Sequence, residues 1–191
     1  MLIRPIEQTD IAAVARLLHA LAREFIVHEA SVEEACTFLR ENDEDSLRGF
    51  IERGYAYHVA LAGGEIAGFV AVRERSHLYH LFVDKRWQRQ GLARRLWDVA
   101  RSAALAAGNG GTFTVNSSNL AVPVYESFGF VRTAPMQCVR GVRFNPMLLT
   151  LPVSRALGSA HYGIVSAAPH FAFAATGCLP SRAVRARLPA R

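Results

Sequence analysis

The strongest constraint on the fold is an alternation of apolar strand, helix and apolar strand in the middle of the chain. Residues 78–83 read Leu-Tyr-His-Leu-Phe-Val, an apolar run that is typical of a strand. A helix is predicted after Gly91, because apolar residues such as Leu92 and Leu96 recur there at helical spacing. Residues 112–115 resume a strand pattern. Two strands joined by a helix pair in parallel across a crossover, which predicts an α/β fold.

The flanking segments predict further helices and strands. A helix begins after Thr9 or Asp10, either of which can cap it, and a second begins at Ser31, which has capping-box spacing to Glu34. The Gly-Gly pair at 63–64 predicts a hairpin turn, and the acidic residues 41–45 predict a solvated loop followed by one or two helical turns. The remaining predictions are a helix that ends near Phe128 and strands at 3–6, 55–61, 66–73, 130–133 and 142–151.

Composition limits the class of protein. The chain has 191 residues, of which 51% are hydrophobic, and this is enough for one domain with a core. We predict a domain over residues 1–151 and a tail over 152–191. No apolar run reaches membrane-spanning length, and charges near the N-terminus disfavour a secretion signal. The three cysteines, Cys36, Cys138 and Cys178, lie far apart, so we predict no metal site and expect a reducing cytoplasm.

The net charge of +6 first suggests a nucleic-acid partner, but the charge is unevenly distributed. Residues 1–126 hold 14 Lys and Arg and all 16 acidic residues, whereas residues 127–191 hold 8 Arg and no acid. The predicted domain is therefore near neutral, and the basic charge belongs to the end of the chain. A basic, Ala-rich segment is typical of a poorly ordered tail, so nucleic-acid binding is the less favoured interpretation.

The turn before the predicted central helix has the features of an anion site. Residues 88–93 read Gln-Arg-Gln-Gly-Leu-Ala and lead directly into the helix. A glycine turn at a helix start lets several backbone N–H groups converge on one anion, and the helix dipole adds about half a positive charge. Full charges are expected to surround this turn at Lys85, Arg86, Arg89, Arg94 and Arg95. The pattern favours a diphosphate.

This segment resembles the first signature of the GNAT superfamily of acyl-CoA-dependent N-acetyltransferases, Q/R-x-x-G-x-G/A after a central strand. Residues 115–119 (Val-Asn-Ser-Ser-Asn) and 125–130 (Tyr-Glu-Ser-Phe-Gly-Phe) resemble the second signature. The resemblance covers about residues 2–151. It implies a mixed, mostly antiparallel sheet with flanking helices, in which a parallel pair of strands splays apart at the cofactor site. It also implies acetyl-CoA as the acyl donor.

The resemblance implies roles for individual residues. Backbone groups of Leu81, Phe82 and Val83 would bind pantetheine, and the Leu81 N–H would polarise the thioester carbonyl. Tyr125 matches the tyrosine that protonates or positions the leaving sulfur. Asn119 matches an asparagine near the cofactor arm, although it is equally suited to cap the following helix, whose first turn Pro123 marks. The predicted cofactor-binding segment around the turn comprises Gln88, Arg89, Gln90, Gly91, Leu92, Ala93 and Arg94.

The attacking amine must lose a proton, which makes a general base useful. An alkylammonium group has a pKa of ~10.4, so few molecules are neutral at pH 7. Relatives often carry a glutamate where this chain has His77, and an imidazole that titrates near ~6.5 could serve. Strand alternation predicts that His77, Tyr79 and Leu81 share one face and that His80 packs on the other. His77 also fits a half-exposed residue at a strand start with no catalytic role.

The acceptor is left open by the sequence. Glu24, His28 and Glu29 lie in the region that shapes the acceptor pocket in this family, where they could favour a cationic amine or simply face solvent. We predict transfer of acetyl from acetyl-CoA to a small-molecule or peptide amine by direct attack in a ternary complex. A non-catalytic acyl-CoA-binding regulator is the alternative, because the expected carboxylate is missing at His77. A homodimer through an exposed final strand is a further expectation.

Overall fold

The computed structural model describes residues 1–28 and 30–152. In this part of the chain the helices are α1 (Ile11–Phe25), α2 (Val32–Arg40), α3 (Glu44–Glu52), α4 (Leu92–Ala106) and α5 (Val122–Ser127). The strands are β1 (Leu2–Pro5), β2 (Ala56–Ala62), β3 (Glu65–Arg73), β4 (His77–Val83), β5 (Thr112–Ser117), β6 (Val131–Arg132), β7 (Gln137–Val139) and β8 (Val142–Thr150). Short 3-10 turns occupy Gln8–Asp10 and Lys85–Trp87. Glu29 and the predicted tail from 153 onward lie outside the described residues.

One mixed sheet organises these elements in the order β1-β2-β3-β4-β5-β8-β6, with β7 paired to β8. The β4–β5 pair is parallel, and the other pairs are antiparallel. Helix α4 connects the two parallel strands, as the strand–helix–strand pattern predicts. The hairpin between β2 and β3 turns on Gly63 and Gly64, which both have positive φ as a tight hairpin turn requires. The predicted α/β class and sheet type are confirmed.

The sheet separates two apolar cores. Helices α1 and α3 contribute Ile11, Leu18 and Leu47 to a core on one side of the sheet, which we call the α1 face. Helices α4 and α5 pack on the other side, the α4 face, where Trp97 and Phe113 are fully buried with ring centroids 5.1 Å apart. The central strands are therefore covered on both faces, which explains why residues 78–83 read as a nearly continuous apolar run.

Side chains cap the starts of α2 and α3, whereas the cap that the sequence predicts for α1 at Thr9 or Asp10 does not form. The predicted capping box forms at α2, where the Glu34 N–H donates to Ser31 Oγ (3.3 Å) and the Ser31 N–H donates to Glu34 Oε2 (2.9 Å). The loop predicted over residues 41–45 ends at Asp43, because Asp43 Oδ1 accepts from the Ser46 N–H (2.9 Å) and α3 begins at Glu44. Strand β7 was not predicted. It forms a hairpin with β8 around Gly141, which has a φ of 76°.

No helix in the described ranges is both long and apolar enough to cross a bilayer. The same residues contain no cluster of three His, Cys, Asp or Glu side chains arranged to hold a metal ion.

Candidate active site

Strands β4 and β5 pair only at their beginning. His77 is opposite Thr114 and Leu78 is opposite Val115, and the parallel ladder ends there. Strand β4 continues to Val83 in register with β3, while β5 continues to Ser117 in register with β8. The two strands therefore diverge over the rest of their length. Within the described residues, this leaves the β5 side of residues 79–83 without a strand partner.

Strand β4 carries a β-bulge at Tyr79. On the neighbouring strand, Ala71 is opposite His80 and the next residue, Val72, is opposite Leu78, so Tyr79 is an extra residue on β4. Leu78 consequently packs in the core of the α4 face, while Tyr79 packs on the α1 face. A bulge of this kind re-aims the side chains that follow it.

The bulge changes the predicted arrangement of β4 side chains. Tyr79 and His80 both lie on the α1 face, with ring centroids 4.5 Å apart, whereas Leu81 packs against the core of the α4 face. The prediction that Leu81 shares a face with His77 and Tyr79 is wrong, and so is the prediction that His80 lies opposite Tyr79. Simple alternation fails because one inserted residue reverses the side-chain order from that point. Phe82 then returns to the α1 face and Val83 to the α4 face.

The turn after β4 exposes the start of α4. Gly91 is the residue before the helix and has a left-handed backbone, with φ 77° and ψ 2°. In residues 1–28 and 30–152 no side chain caps this end of α4, and apart from Gly91 and its two chain neighbours no residue comes within 4 Å of the position that a Gly91 Cβ would occupy. Arg95 is the first residue of α4 whose N–H donates to a backbone carbonyl, that of Gly91 (3.1 Å), so the amides of residues 92–94 have no helical acceptor. This arrangement suits an anion.

The glutamines of the turn hold its shape. Gln88 Nε2 donates to the carbonyl of Val83, the last residue of β4, at 2.9 Å. Gln90 Nε2 donates to the Arg86 carbonyl at 3.0 Å. Their side chains therefore brace the chain between β4 and α4. Contact of the predicted segment with an anion stays a prediction.

Most of the basic side chains near this turn are engaged elsewhere. Lys85 Nζ lies 2.7 Å from Glu24 Oε1, and Arg86 pairs with Asp84 and Glu65. Arg94 donates to the Ser127 carbonyl and stacks on Phe128, and Arg95 reaches Met1 Sδ. Carboxylates therefore neutralise Lys85 and Arg86, which do not add the unpaired charge that the sequence predicts at the turn. For Arg89, Arg94 and Arg95 the prediction stays a prediction. Among the described residues, Arg89, Arg94 and Arg95 have no carboxylate partner, and of the five only Arg89 makes neither an ion pair nor a hydrogen bond.

Tyr125 lies on α5 at the α4 face. Its side chain is 7% exposed and makes edge-on contacts with Phe128 and Phe130, with ring centroids 6.1 Å and 5.8 Å apart. Burial raises the pKa of the Tyr125 phenol above its ordinary value, so the hydroxyl stays protonated at neutral pH. A buried, protonated phenol can donate a proton or a hydrogen bond to a departing thiolate.

Asn119 does not cap α5, because the residue before this helix is Ala121 and no side chain caps it. Pro123 does lie in the first turn, as predicted. Asn119 Oδ1 instead accepts from Asn145 Nδ2 (2.8 Å), which also reaches the Ser117 carbonyl (3.3 Å). The sequence analysis did not single out Asn145, although its spacing from the apolar Met147 and Leu149 places all three on one face of a strand. In the structure Asn145 lies on β8 and is 2% exposed.

His77 is half-buried at the start of the diverging strands. Its Nδ1 lies 2.8 Å from Thr114 Oγ1, which is on the facing strand β5. Burial and the charge of Arg73 lower the pKa of His77 to about 4, so the imidazole is neutral at pH 7. An imidazole with such a low pKa accepts a proton weakly, which counts against His77 as the direct general base.

His80 is the centre of a buried hydrogen-bond chain. Its Nδ1 lies 3.1 Å from the Tyr57 hydroxyl, and its Nε2 lies 3.1 Å from Asn42 Oδ1. Asn42 Nδ2 donates to the Phe38 carbonyl (2.9 Å), so the amide oxygen faces His80. His80 therefore donates from Nε2 and accepts at Nδ1, in its neutral form. The chain anchors the connection between α2 and α3 to the centre of the sheet, and the packing role predicted for His80 is the one it has.

We expect this network to make stability fall with acid. Burial lowers the pKa of His80 to about 3, while an unfolded histidine titrates near ~6.5. The unfolded chain therefore binds an extra proton as pH falls below ~6.5, and the native state loses about 2 kcal/mol between pH 7 and pH 5 from this group. Urea unfolding at pH 7, 6 and 5 measures the free energy of unfolding of the wild type and of His80→Gln. Between pH 7 and pH 5 the variant should lose about 2 kcal/mol less of this free energy than the wild type. Equal losses in both proteins would contradict it.

The α1 face carries a cavity beside the bulge. It has a volume of about 370 Å³ and contacts Tyr79 on β4 and Phe50 and Arg53 at the end of α3. Another cavity, of about 400 Å³, has no strand residue in its lining and so does not open on β4. Of the residues that the sequence suggested for the acceptor pocket, Glu24 is paired with Lys85, His28 follows α1 and Glu29 lies outside the described residues.

Comparisons with known proteins identify the family. A model for the "Acetyltransferase (GNAT) domain" matches residues 26–151. No curated protein matches the chain at a significant level. A GCN5-related N-acetyltransferase from Rhodopseudomonas palustris superposes with a TM-score of 0.66 and 21% identity, covering 78% of this chain and 95% of that one.

Two further solved structures have the same fold. PaiA N-acetyltransferase from Thermoplasma acidophilum, in complex with coenzyme A, has a TM-score of 0.65 and 15% identity over 78% of this chain and 98% of its own. Ribosomal-protein-alanine N-acetyltransferase from Brucella melitensis has a TM-score of 0.61 and 18% identity over 79% of this chain and 100% of its own. The divergent β4–β5 pair, the uncapped start of α4 and the family match together lead to one conclusion: the chain belongs to the GNAT acetyltransferase family and is an acyltransferase of that type.

Proposed function

We propose that the protein transfers an acetyl group from acetyl-CoA to a primary amine by direct attack within a ternary complex. The observation that carries the proposal is the coincidence of two features at one end of β4. The strand loses its β5 partner after Leu78, and the turn that follows it leads to the uncapped N-terminus of α4. The first feature offers backbone groups to an extended ligand, and the second offers amides to its phosphates.

The residues present fit coenzyme A. Apart from its chain neighbours, none of the described residues comes within 4 Å of a hypothetical Gly91 Cβ, so they leave room for a phosphate to approach the amides of residues 92–94. Arg89, which has no carboxylate partner in the described part of the chain, adds a full positive charge. In this proposal the backbone of Leu81, Phe82 and Val83 holds the pantetheine arm. When bound, acetyl-CoA supplies an activated thioester for the amine to attack.

Four groups of this chain would assist the reaction. The Leu81 N–H would donate to the thioester carbonyl oxygen, an interaction of a kind typically worth about 3 to 4 kcal/mol in the transition state. Tyr125 would donate its phenolic proton to the leaving sulfur. His77, neutral at pH 7 and fixed by Thr114, would orient the amine or a water that carries away its proton. Asn119 would contact the cofactor arm, with its side chain held in place by the hydrogen bond from Asn145.

An amine-dependent release of the CoA thiol tests the proposal. We expect thiol release from acetyl-CoA to rise at least tenfold over the background when an acceptable amine is added, because the attack breaks the thioester. A panel of amino acids, simple alkylamines, polyamines and short peptides would be assayed with a thiol reagent. Tight acetyl-CoA binding, without turnover for any amine in a broad panel, would support the non-catalytic regulator and overturn the enzymatic proposal.

A further inference from the structure

The cavity beside the bulge has an aromatic floor. Tyr79 contacts Phe50 and Tyr55 edge-on, with ring centroids 5.3 Å and 5.1 Å apart, and Phe50 stacks on Tyr55 at 5.1 Å. These rings come from α3, from the segment after it and from the bulge of β4. At about 370 Å³, the cavity lies at the small end of the range for ligand sites, which suits a compact acceptor with an apolar body.

The carboxylates that line this cavity are already paired. Glu41 Oε1 lies 2.9 Å from Arg140 Nη1, and Asp45 Oδ1 lies 2.8 Å from Arg48 Nη1. Neither is therefore free to attract a second cation without giving up its arginine. A polycationic acceptor would need unpaired carboxylates here, so the lining disfavours it.

One arginine of the lining lacks such a partner. The Arg53 guanidinium lies over Phe50, 5.0 Å from the ring centroid, and within 6.0 Å of the Tyr55 centroid. No carboxylate lies within ion-pair distance of it in residues 1–28 and 30–152. Gly49 leaves room for the guanidinium, because a Cβ there would lie 3.1 Å from Nη1. Stacking orients the planar group and leaves its N–H edge available for a carboxylate.

A second guanidinium adds positive charge beside the rings. Arg73 lies 5.8 Å from the Tyr79 centroid, and its nearest carboxylate oxygen, on Glu74, is 3.9 Å from Nε. Arg73 Nε is buried and has no hydrogen-bond partner in the described part of the protein. Arg73 therefore places a second guanidinium, with one N–H unsatisfied, beside the aromatic floor.

We propose that the acceptor is a small amine that also carries a carboxylate, an amino acid with an apolar side chain, and that Arg53 binds this carboxylate. The inference rests on the proposed acetyl transfer and assigns the substrate class of the same site. Arg53 holds the carboxylate, the rings of Phe50 and Tyr79 contact the apolar body, and the amino group is left to face the diverging strands.

Calorimetric titration of the CoA-loaded protein with matched probes tests this assignment. L-phenylalanine should bind at least tenfold more tightly than 2-phenylethylamine and L-phenylalaninamide, which lack the carboxylate, and more tightly than spermidine. Arg53→Gln should abolish the preference and Arg53→Lys should restore part of it. Gly49→Ala, which crowds the guanidinium, should weaken it. Arg101→Gln is the matched control, because this arginine pairs with Asp98 on α4 and lies across the sheet.

The outcomes separate the two proposals. Three results would each overturn the assignment of the carboxylate to Arg53. L-phenylalanine could bind no more tightly than the two analogues that lack the carboxylate, or it could fail to bind. The preference for the carboxylate could also survive Arg53→Gln. Thiol release with the same probes reports on acetyl transfer independently. Transfer to 2-phenylethylamine or spermidine without a carboxylate preference would support acetyl transfer and overturn the role of Arg53. Carboxylate-dependent binding without transfer to any amine would support carboxylate binding by Arg53 and overturn acetyl transfer.

Discussion

Replacing Tyr125 by Phe is expected to lower kcat about 10²-fold while changing the affinity for acetyl-CoA by less than about threefold, the scale typical of removing a positioned general acid. The ring keeps its contacts with Phe128 and Phe130, so only the hydroxyl is lost. That hydroxyl stays protonated at neutral pH because burial raises its pKa. Steady-state rates with acetyl-CoA and an accepted amine, together with calorimetry of CoA binding, measure both quantities.

Tyr57→Phe is the matched control for this substitution. Tyr57 is also a buried tyrosine, but it lies on the α1 face and its hydroxyl contacts His80. Its loss should cost about 1 to 3 kcal/mol of stability, as expected for an unsatisfied buried partner, and leave kcat within about threefold. Unchanged turnover in Tyr125→Phe, or an equal loss in both variants, would show that the hydroxyl of Tyr125 has no part in the departure of the thiol.

Replacing Gly91 by Ala is expected to weaken CoA binding by about 10- to 100-fold, because charge-assisted hydrogen bonds of ~1.5 to 3 kcal/mol depend on the shape of this turn. The left-handed backbone, with φ 77°, is strained for any residue with a Cβ, and the added methyl would stand where a phosphate approaches. Calorimetric titration with CoA measures the change.

Gly108→Ala provides the control at the other end of α4. Gly108 also has a left-handed backbone, with φ 96°, and its hypothetical Cβ would meet no described residue within 4 Å beyond its chain neighbours. Both substitutions should cost about 1 to 2 kcal/mol of stability, since both impose the same backbone strain. Only Gly91→Ala should affect the affinity for CoA. A similar loss of affinity in both variants would mean that the effect arises from destabilised α4 and not from the anion site.

The elements of the site that depend on local sequence could be predicted. Residues 78–83 and the helix after Gly91 were recognisable because apolar periodicity and the special conformation of glycine act over a few residues. The capping box of Ser31 and Glu34 is equally local, and it forms as predicted. The family signatures around residues 88–93 and 125–130 are also contiguous, so the acyltransferase class followed from them.

The arrangement of side chains along β4 could not be predicted in the same way. Whether Tyr79 forms a bulge depends on how β3 aligns with β4, which is a pairing between separate segments. The same limit applies to the cations near Gly91, because the partner of Lys85 is Glu24, 61 residues earlier in the chain. It applies again to the cavity that Arg53 lines, because Tyr79 of β4 joins Phe50 of α3 in its lining.

The sequence alone determined the α/β pattern, the glycine turn at the head of α4 and the family, because each is written in residues that are neighbours along the chain. Only the tertiary structure decided which charges remain unpaired, which face each β4 side chain occupies and what lines the cavity beside the bulge. These depend on long-range strand register and on ion pairs between distant segments, whose free energies are set by the packing of the whole sheet.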